Sequence, residues 1–180
     1  MINDQAHLPS PAELLSCVIR LAEAASGRIL EIYNSEFSIT QKDDRSPLTA
    51  ADMASHDIIC KGLNELTPAI PILSEESADI PYAVRESWNY FWLVDPLDGT
   101  REFIKRNGEF TINIALIEKH TPILGLIHVP VSGTTYYASR GNGACKKTGN
   151  DSPKKIYTRR TDAGRIALAG SRSHGSDRQQ

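Results

Sequence analysis

Between residues 14 and 32, Leu14, Val18, Leu21, Ala25, Ile29 and Ile32 recur every three or four positions, the period of one helical face. Ser10-Pro11-Ala12-Glu13 stands ahead of them with the form of a helix start. Ser10 is free to cap, Pro11 is tolerated at the first helical position, and Glu13 completes a capping box. A long helix with one apolar face is therefore predicted. From Thr49 onward AADMASHDIICKGLNEL repeats the period, with Ile59, Leu63 and Leu66 on a face. Asp52 falls in the expected first turn of this second helix, where the helix dipole favours a carboxylate.

Elsewhere the period shortens to two. Phe37 and Ile39 alternate with Ser38 and Thr40, a short strand reading that the charged, proline-bearing KDDRSP interrupts. Pro71-Ile72-Leu73 leads into Ser74-Glu75-Glu76, and YFWLV at 90–94 is a continuous apolar run that suits a strand buried on both faces. Thr111 to Glu118 alternates with Ile112, Ile114 and Leu116 on one side. Its neighbour is expected at Ile123 to Val129, after a turn at His120-Thr121-Pro122. TTYYAS at 134–139 and the RGNGA that follows read as another strand and a hairpin. Residues 146–165 are polar and basic and read as a connection, and IALAG at 166–170 as the first strand of a further unit. The organisation expected is an α+β domain over 1–145, a linker over 146–165, and the start of a second, truncated α/β unit over 166–180.

Composition changes this picture little. Hydrophobic and charged fractions of 40% and 23% in 180 residues are those of a globular domain with a core of its own. The net charge of -2 implies no general attraction to nucleic acid or anionic lipid. No signal segment or membrane-spanning run is legible, which makes a cytoplasmic protein the expectation. Cys17, Cys60 and Cys145 are odd in number and widely spaced, so neither a disulfide framework nor a zinc site is predicted. His56, His128 and His174 read as surface or packed side chains, and the basic run at 154–160 as a solvated stretch.

The candidate chemistry lies where two strands end in acids. Glu75, Asp95 and Asp98 carry the hard carboxylate oxygens that magnesium prefers. In WLVDPLDGTREF, Pro96 locks a dihedral between the two aspartates, and the Leu97 carbonyl is a neutral oxygen ligand held between them. Gly99 and Thr100 then open a short helix whose free amides face an anion, with a hydroxyl beside them. Metal-assisted hydrolysis of a phosphate ester needs this grouping of metal, phosphate seat and hydroxyl. From the residues alone the plainer reading stands beside it. D-P-x-D-G is good turn chemistry, and an aspartate before a helix is a common cap.

Taken together, SPLTAAD, ILSEES, WLVDPLDGTREFI, NGEFTINIALIE and the glycine hairpin resemble the lithium-sensitive, magnesium-dependent phosphatases of the inositol monophosphatase superfamily. KRNGEFTINIALIE after DPLDGT is most similar to the 3'(2'),5'-bisphosphate nucleotidases of the CysQ type. The resemblance runs from about Leu14 to SRSH at 171–174. It implies a layered sugar-phosphatase fold, with long helices packed on a largely antiparallel sheet, of which this chain carries the N-terminal part. It implies Glu75, Asp95 and the Leu97 carbonyl as ligands of one magnesium, with Asp95 and Asp98 shared toward a second. Asp52, Thr100 and Glu75 would orient the attacking water. Glu75, Leu97, Asp98, Gly99 and Thr100 would meet the substrate, and Lys42 matches a basic position near the metals.

The implied reaction is hydrolysis of adenosine 3',5'-bisphosphate to AMP and phosphate, which clears a by-product of sulfate assimilation. No organic cofactor or nucleic-acid partner is implied, and a peripheral association with the inner membrane is allowed. The alternatives are an inositol monophosphatase-like sugar phosphatase and an inactive fragment. Members of the superfamily carry a WDxAA-type motif in a second half, whose aspartate completes the second metal site. Here both tryptophans, Trp88 and Trp92, lie upstream. The expectation is therefore a truncated chain that binds its second ion weakly and leaves apolar sheet surface uncovered.

Overall fold

A computed structural model describes residues 9–35, 47–77 and 79–158. The predicted strand at 37–40, Lys42, the IALAG stretch and His174 lie outside the described residues.

Helix α1 (Pro11–Tyr33) begins as its sequence predicts. The Glu13 amide donates to Ser10 Oγ, and the Ser10 amide donates to Glu13 Oε2 at 2.7 Å. Its buried stripe is Leu14, Val18, Ala22, Ala25, Ser26, Ile29 and Tyr33, with Leu21 and Ile32 on its flanks. Tyr33 closes the stripe against the rings of Phe103 and Phe110, whose centroids lie 5.2 and 5.0 Å away. Helix α2 (Pro47–Leu66) packs along α1 and buries Ala51, Ile59 and Leu63. It starts at Pro47, ahead of the expected Thr49, because proline needs no hydrogen-bond acceptor at a first helical position. Asp52 consequently sits in the second turn, beyond the strong end of the dipole, and the favourable field expected for it there is largely lost.

Among the described residues seven strands follow in one sheet whose spatial order is the chain order. They are β1 (Ile72–Ser74), β2 (Tyr90–Asp98), β3 (Thr111–Glu118), β4 (Thr121–Val129), β5 (Thr134–Ser139), β6 (Gly143–Thr148) and β7 (Lys154–Ile156). Only β1 and β2 run parallel, and every other neighbouring pair is antiparallel. Short helices α3 (Tyr82–Arg85) and α4 (Thr100–Ile104) flank β2. The α+β class and the largely antiparallel sheet are as predicted.

Both long helices cover one face of this sheet. Trp92, Val94, Ile112, Ile114, Leu116, Leu124 and Leu126 are buried in the core, and the Trp92 indole donates to Thr67 Oγ1 at 2.9 Å. The reading of YFWLV as buried on both faces needs correction. Trp92 and Val94 are buried, but Leu93 between them is 45% exposed, because α1 and α2 pack on one side only. Leu93, Ile127 and Tyr136 instead line a shallow hollow on the opposite face.

A second correction concerns residues 146–165. Lys146 to Thr148 belong to β6 and Lys154 to Ile156 to β7, with Gly149 at φ 51 in the turn between them. The edge strand β7 and its neighbour β6 are held by their backbone ladders and tolerate polar and basic side chains, so composition concealed these two. The three cysteines are free thiols. Among the described residues no helix is long and apolar enough to cross a membrane.

Candidate active site

Asp95 and Asp98 are three residues apart, and in a regular strand that spacing would send their side chains to opposite faces. The pairing of β2 with β3 resolves this. Asp95 lies opposite Asn113 and Asp98 opposite Thr111, so three steps on β2 match two on β3. One extra residue makes a β-bulge and reverses the facing of the residues beyond it. Proline is suited to that place, having no amide hydrogen to lose from the ladder. Both aspartates therefore line the hollow on the open side of the sheet, while Pro96 and Leu97 are buried.

Glu75 reaches the same place from β1. Ser74 pairs with Val94 in parallel register, and the Glu75 amide donates to the Val94 carbonyl at 3.1 Å, which sets Glu75 beside Asp95. Asp52 arrives from α2 and is buried. Beyond the bulge Gly99 adopts φ 97 as the N-cap of α4, and Thr100 is exposed as the first residue of that helix. Among the described residues no hydrogen bond joins Asp52 to Thr100.

The charges of this group are not balanced. Asp52 is pushed up to about 7, first by burial and then by the negative charges of Glu76, Asp95 and Glu75. Asp95 is also pushed up to about 7. Burial is again the largest cause, followed by the charges of Glu75 and Asp98 and a hydrogen bond with the Glu75 carboxyl, against a backbone hydrogen bond at Leu97. Asp95 Oδ1 is buried without a hydrogen-bond partner. Hard oxygen donors, excess negative charge and an orphaned carboxylate oxygen are together what a divalent cation satisfies, so the donor set fits a metal. Among the described residues, however, no group of three or more His, Cys, Asp or Glu is gathered closely enough to hold an ion.

A pH dependence arises from the raised values. An unfolded aspartate titrates near about 3.9. Between roughly pH 4 and pH 7 the folded chain thus holds protons that the unfolded chain has released, and stability present at low pH is lost as pH rises through about 7. Buried His128 acts in the opposite sense below about pH 6.5, since burial holds its imidazole below the usual range. Comparing wild type with Asp95→Asn cancels the histidine. In EDTA the thermal midpoint of the wild type is expected to fall more steeply between about pH 5 and pH 8 than that of the variant. Parallel curves would contradict the assignment.

Sequence reasoning overlooked several residues that serve this group. Asn113 Nδ2 donates to Asp98 Oδ2 at 3.1 Å, and Thr111 Oγ1 donates to Asn113 Oδ1 at 3.2 Å. A signal for Asn113 was present, as the lone amide on a strand otherwise made of aliphatic residues between Thr111 and Glu118, but only the register shows what it faces. Ser55 was likewise unmarked, and His56 was read only as a surface or packed side chain. Their partners stand 41 and 18 residues along the chain.

Comparison with known proteins shows the family to which the chain belongs. Residues 10–180 match the model of the inositol monophosphatase family. The 3'(2'),5'-bisphosphate nucleotidase CysQ of Salmonella typhimurium is 46% identical over 166 residues, covering 91% of this chain and 65% of that protein. The protein of the same name from Escherichia coli K12 is 46% identical over 164 residues, covering 89% of this chain and 64% of that protein. The crystal structure of CysQ from Bacteroides thetaiotaomicron, described as a bacterial member of the inositol monophosphatase family, superposes with a TM-score of 0.80 at 41% identity. That match covers 93% of this chain and 65% of the solved one. An inositol monophosphatase from Anabaena gives a TM-score of 0.62 at 25% identity, over 75% and 47% of the two chains. This chain thus spans about two thirds of the length of the CysQ proteins it matches, and over that span it belongs to the inositol monophosphatase family.

Proposed function

We propose that this chain carries the metal- and phosphate-handling part of a 3'(2'),5'-bisphosphate nucleotidase that converts adenosine 3',5'-bisphosphate to AMP and phosphate. The observation that carries the reading is the bulge at Pro96, which brings Asp95 and Asp98 to one face beside Glu75 and leaves a buried carboxylate oxygen unpartnered. Glu75, Asp95, the Leu97 carbonyl and Asp98 would hold magnesium. When bound, magnesium supplies charge neutralisation on the phosphate oxygens and a lowered pKa for the attacking water.

The remaining roles belong to the chain. Asp52 on α2, Glu75 in the turn after β1 and Thr100 on α4 lie around Asp95, and carboxylates and a hydroxyl so placed orient a water for in-line attack. The Gly99 and Thr100 amides open α4 and meet the transferred phosphate, with Asp98 and Leu97 alongside. Asn113 keeps Asp98 directed at the site through its amide. With this substrate goes a cytoplasmic place of action, and peripheral contact with the inner membrane is compatible with it.

An inositol monophosphatase-like activity would use the same acids on another alcohol. The 46% identity to proteins named as nucleotidases, against 25% to a solved inositol monophosphatase, favours the nucleotide. The test is phosphate release from adenosine 3',5'-bisphosphate and from inositol 1-phosphate in magnesium, with and without lithium. Lithium-sensitive release from the nucleotide, in clear excess over the inositol ester, is expected. Release from the inositol ester alone, or from neither by a folded sample, would overturn the proposal.

A further inference from the structure

The two acid-bearing segments are joined to each other through α2, by two consecutive residues. Adjacent side chains on a helix diverge by about 100°, so one turn reaches two neighbouring strands. Ser55 is fully buried and its Oγ donates to the Pro96 carbonyl at 2.8 Å. Pro96 and Leu97 have no register partner on β3, so the bulge takes this carbonyl out of the ladder and Ser55 satisfies it. His56 Nδ1 is 2.9 Å from Ser74 Oγ, and Ser74, itself buried, is the residue before Glu75. Cys60, one turn further on, places its sulfur 3.6 Å from the same nitrogen and backs the ring.

We propose that Ser55 and His56 are positioning residues, a paired latch by which α2 holds the Asp95–Asp98 turn and the Glu75 turn beside each other, where their carboxylates can be drawn onto magnesium. The inference rests on the reading of those acids as metal ligands. Ser55 and His56 are spent on Pro96 and Ser74, so their part is to position the acids and not to bind the ion themselves. Ser55 fixes the plane of the Pro96–Leu97 peptide, the unit that leads into the Leu97 carbonyl. His56 fixes Ser74 and with it the root of Glu75. Because α2 also carries Asp52, one rigid helix would set the positions of all three acid-bearing segments. Partners that orient metal ligands in this way typically change metal affinity by about 10–100-fold when removed.

The test has two arms, each on the full chain. In metal-free protein, amide hydrogen exchange is expected to quicken around residues 94–98 in Ser55→Ala and around residues 74–77 in His56→Leu, with α1 and β3 to β5 unchanged. In the second arm, magnesium titrated calorimetrically should bind about tenfold or more weakly to either variant. His56→Asn, which keeps a polar atom near the Nδ1 position, should recover most of the affinity. His56→Leu with Ser74→Ala should be no weaker than either change alone, since both break one contact. Exchange that quickens evenly over the chain would show loss of stability in place of positioning and would overturn the proposal, as would magnesium affinity unchanged in both variants. If the wild type takes up no magnesium, the metal reading of the acids fails, while the exchange arm still decides whether the latch holds those turns.

Discussion

Asparagine in place of Asp95 is expected to cut phosphate release about a thousandfold and, at the same time, to raise the thermal midpoint of the metal-free protein. The two effects share one cause. Asp95 is forced beside Glu75 and Asp98 by the bulge, with one oxygen buried and unpartnered. In the absence of a cation the charge is a liability, and an amide of the same shape relieves it. After screening by solvent at a half-buried group, relief of about 1–2 kcal/mol is expected. In a chain of this size that is roughly 2–8 °C. On the proposed reading the same carboxylate would be a magnesium ligand, and its loss would remove several kcal/mol of charge stabilisation, about a 10³-fold fall in kcat/KM. Thermal scans in EDTA and phosphate-release assays in magnesium should move in opposite directions. Destabilisation accompanying the lost activity would mean that Asp95 holds the fold and not an ion.

Alanine at Gly99 is the second change expected to have a large effect, here on stability and activity together. Gly99 sits at φ 97, a region that costs an L side chain about 1–2 kcal/mol. A Cβ there would also stand 3.1 Å from the Glu109 carbonyl oxygen and 3.2 Å from Phe110 Cα. Both are backbone atoms that cannot rotate away, and Phe110 is fully buried beneath them. Overpacking of this kind adds about 1–3 kcal/mol. A fall of roughly 5–15 °C in the midpoint is therefore predicted. The chain would relieve the contact by moving residues 98–100, so whatever folded protein remains should release phosphate at a small fraction of the wild-type rate. An unchanged midpoint would contradict the strained geometry at this glycine.

The helices were legible because each carries its own signal. Ser10 and Glu13 mark the start of α1, and the spacing of Leu14, Val18, Ala25 and Ile29 marks its buried face. Strands β3 to β5 were legible by alternation. Strands β6 and β7 were not, since Lys146, Lys154 and Lys155 look like a linker until the ladder that holds them is seen. YFWLV misled for a related reason. A sheet covered on one side by helices and hollow on the other can be apolar on both, and composition does not say which face is covered.

The acids were found from the sequence because they end two strand-like runs together and because the motifs around them resemble a known phosphatase family, D-P-x-D-G alone being ordinary turn chemistry. What the sequence withheld was the geometry that makes them one group. The extra residue at Pro96 turns a spacing of three into one facing, and only the register against Asn113 and Thr111 reveals it. Ser55 and His56 were illegible in principle, since a serine or a histidine on a helix has no pattern of its own. Their meaning lies in Pro96 and Ser74, which the fold brings to them.

The most direct test of the central claim, that the ends of β1 and β2 form one cation-binding group, is calorimetric titration of magnesium into wild type and Asp95→Asn at neutral pH. Saturable binding to the wild type, weakened by at least about tenfold in the variant, is predicted. Equal binding to both, or none to a folded wild type, would contradict it.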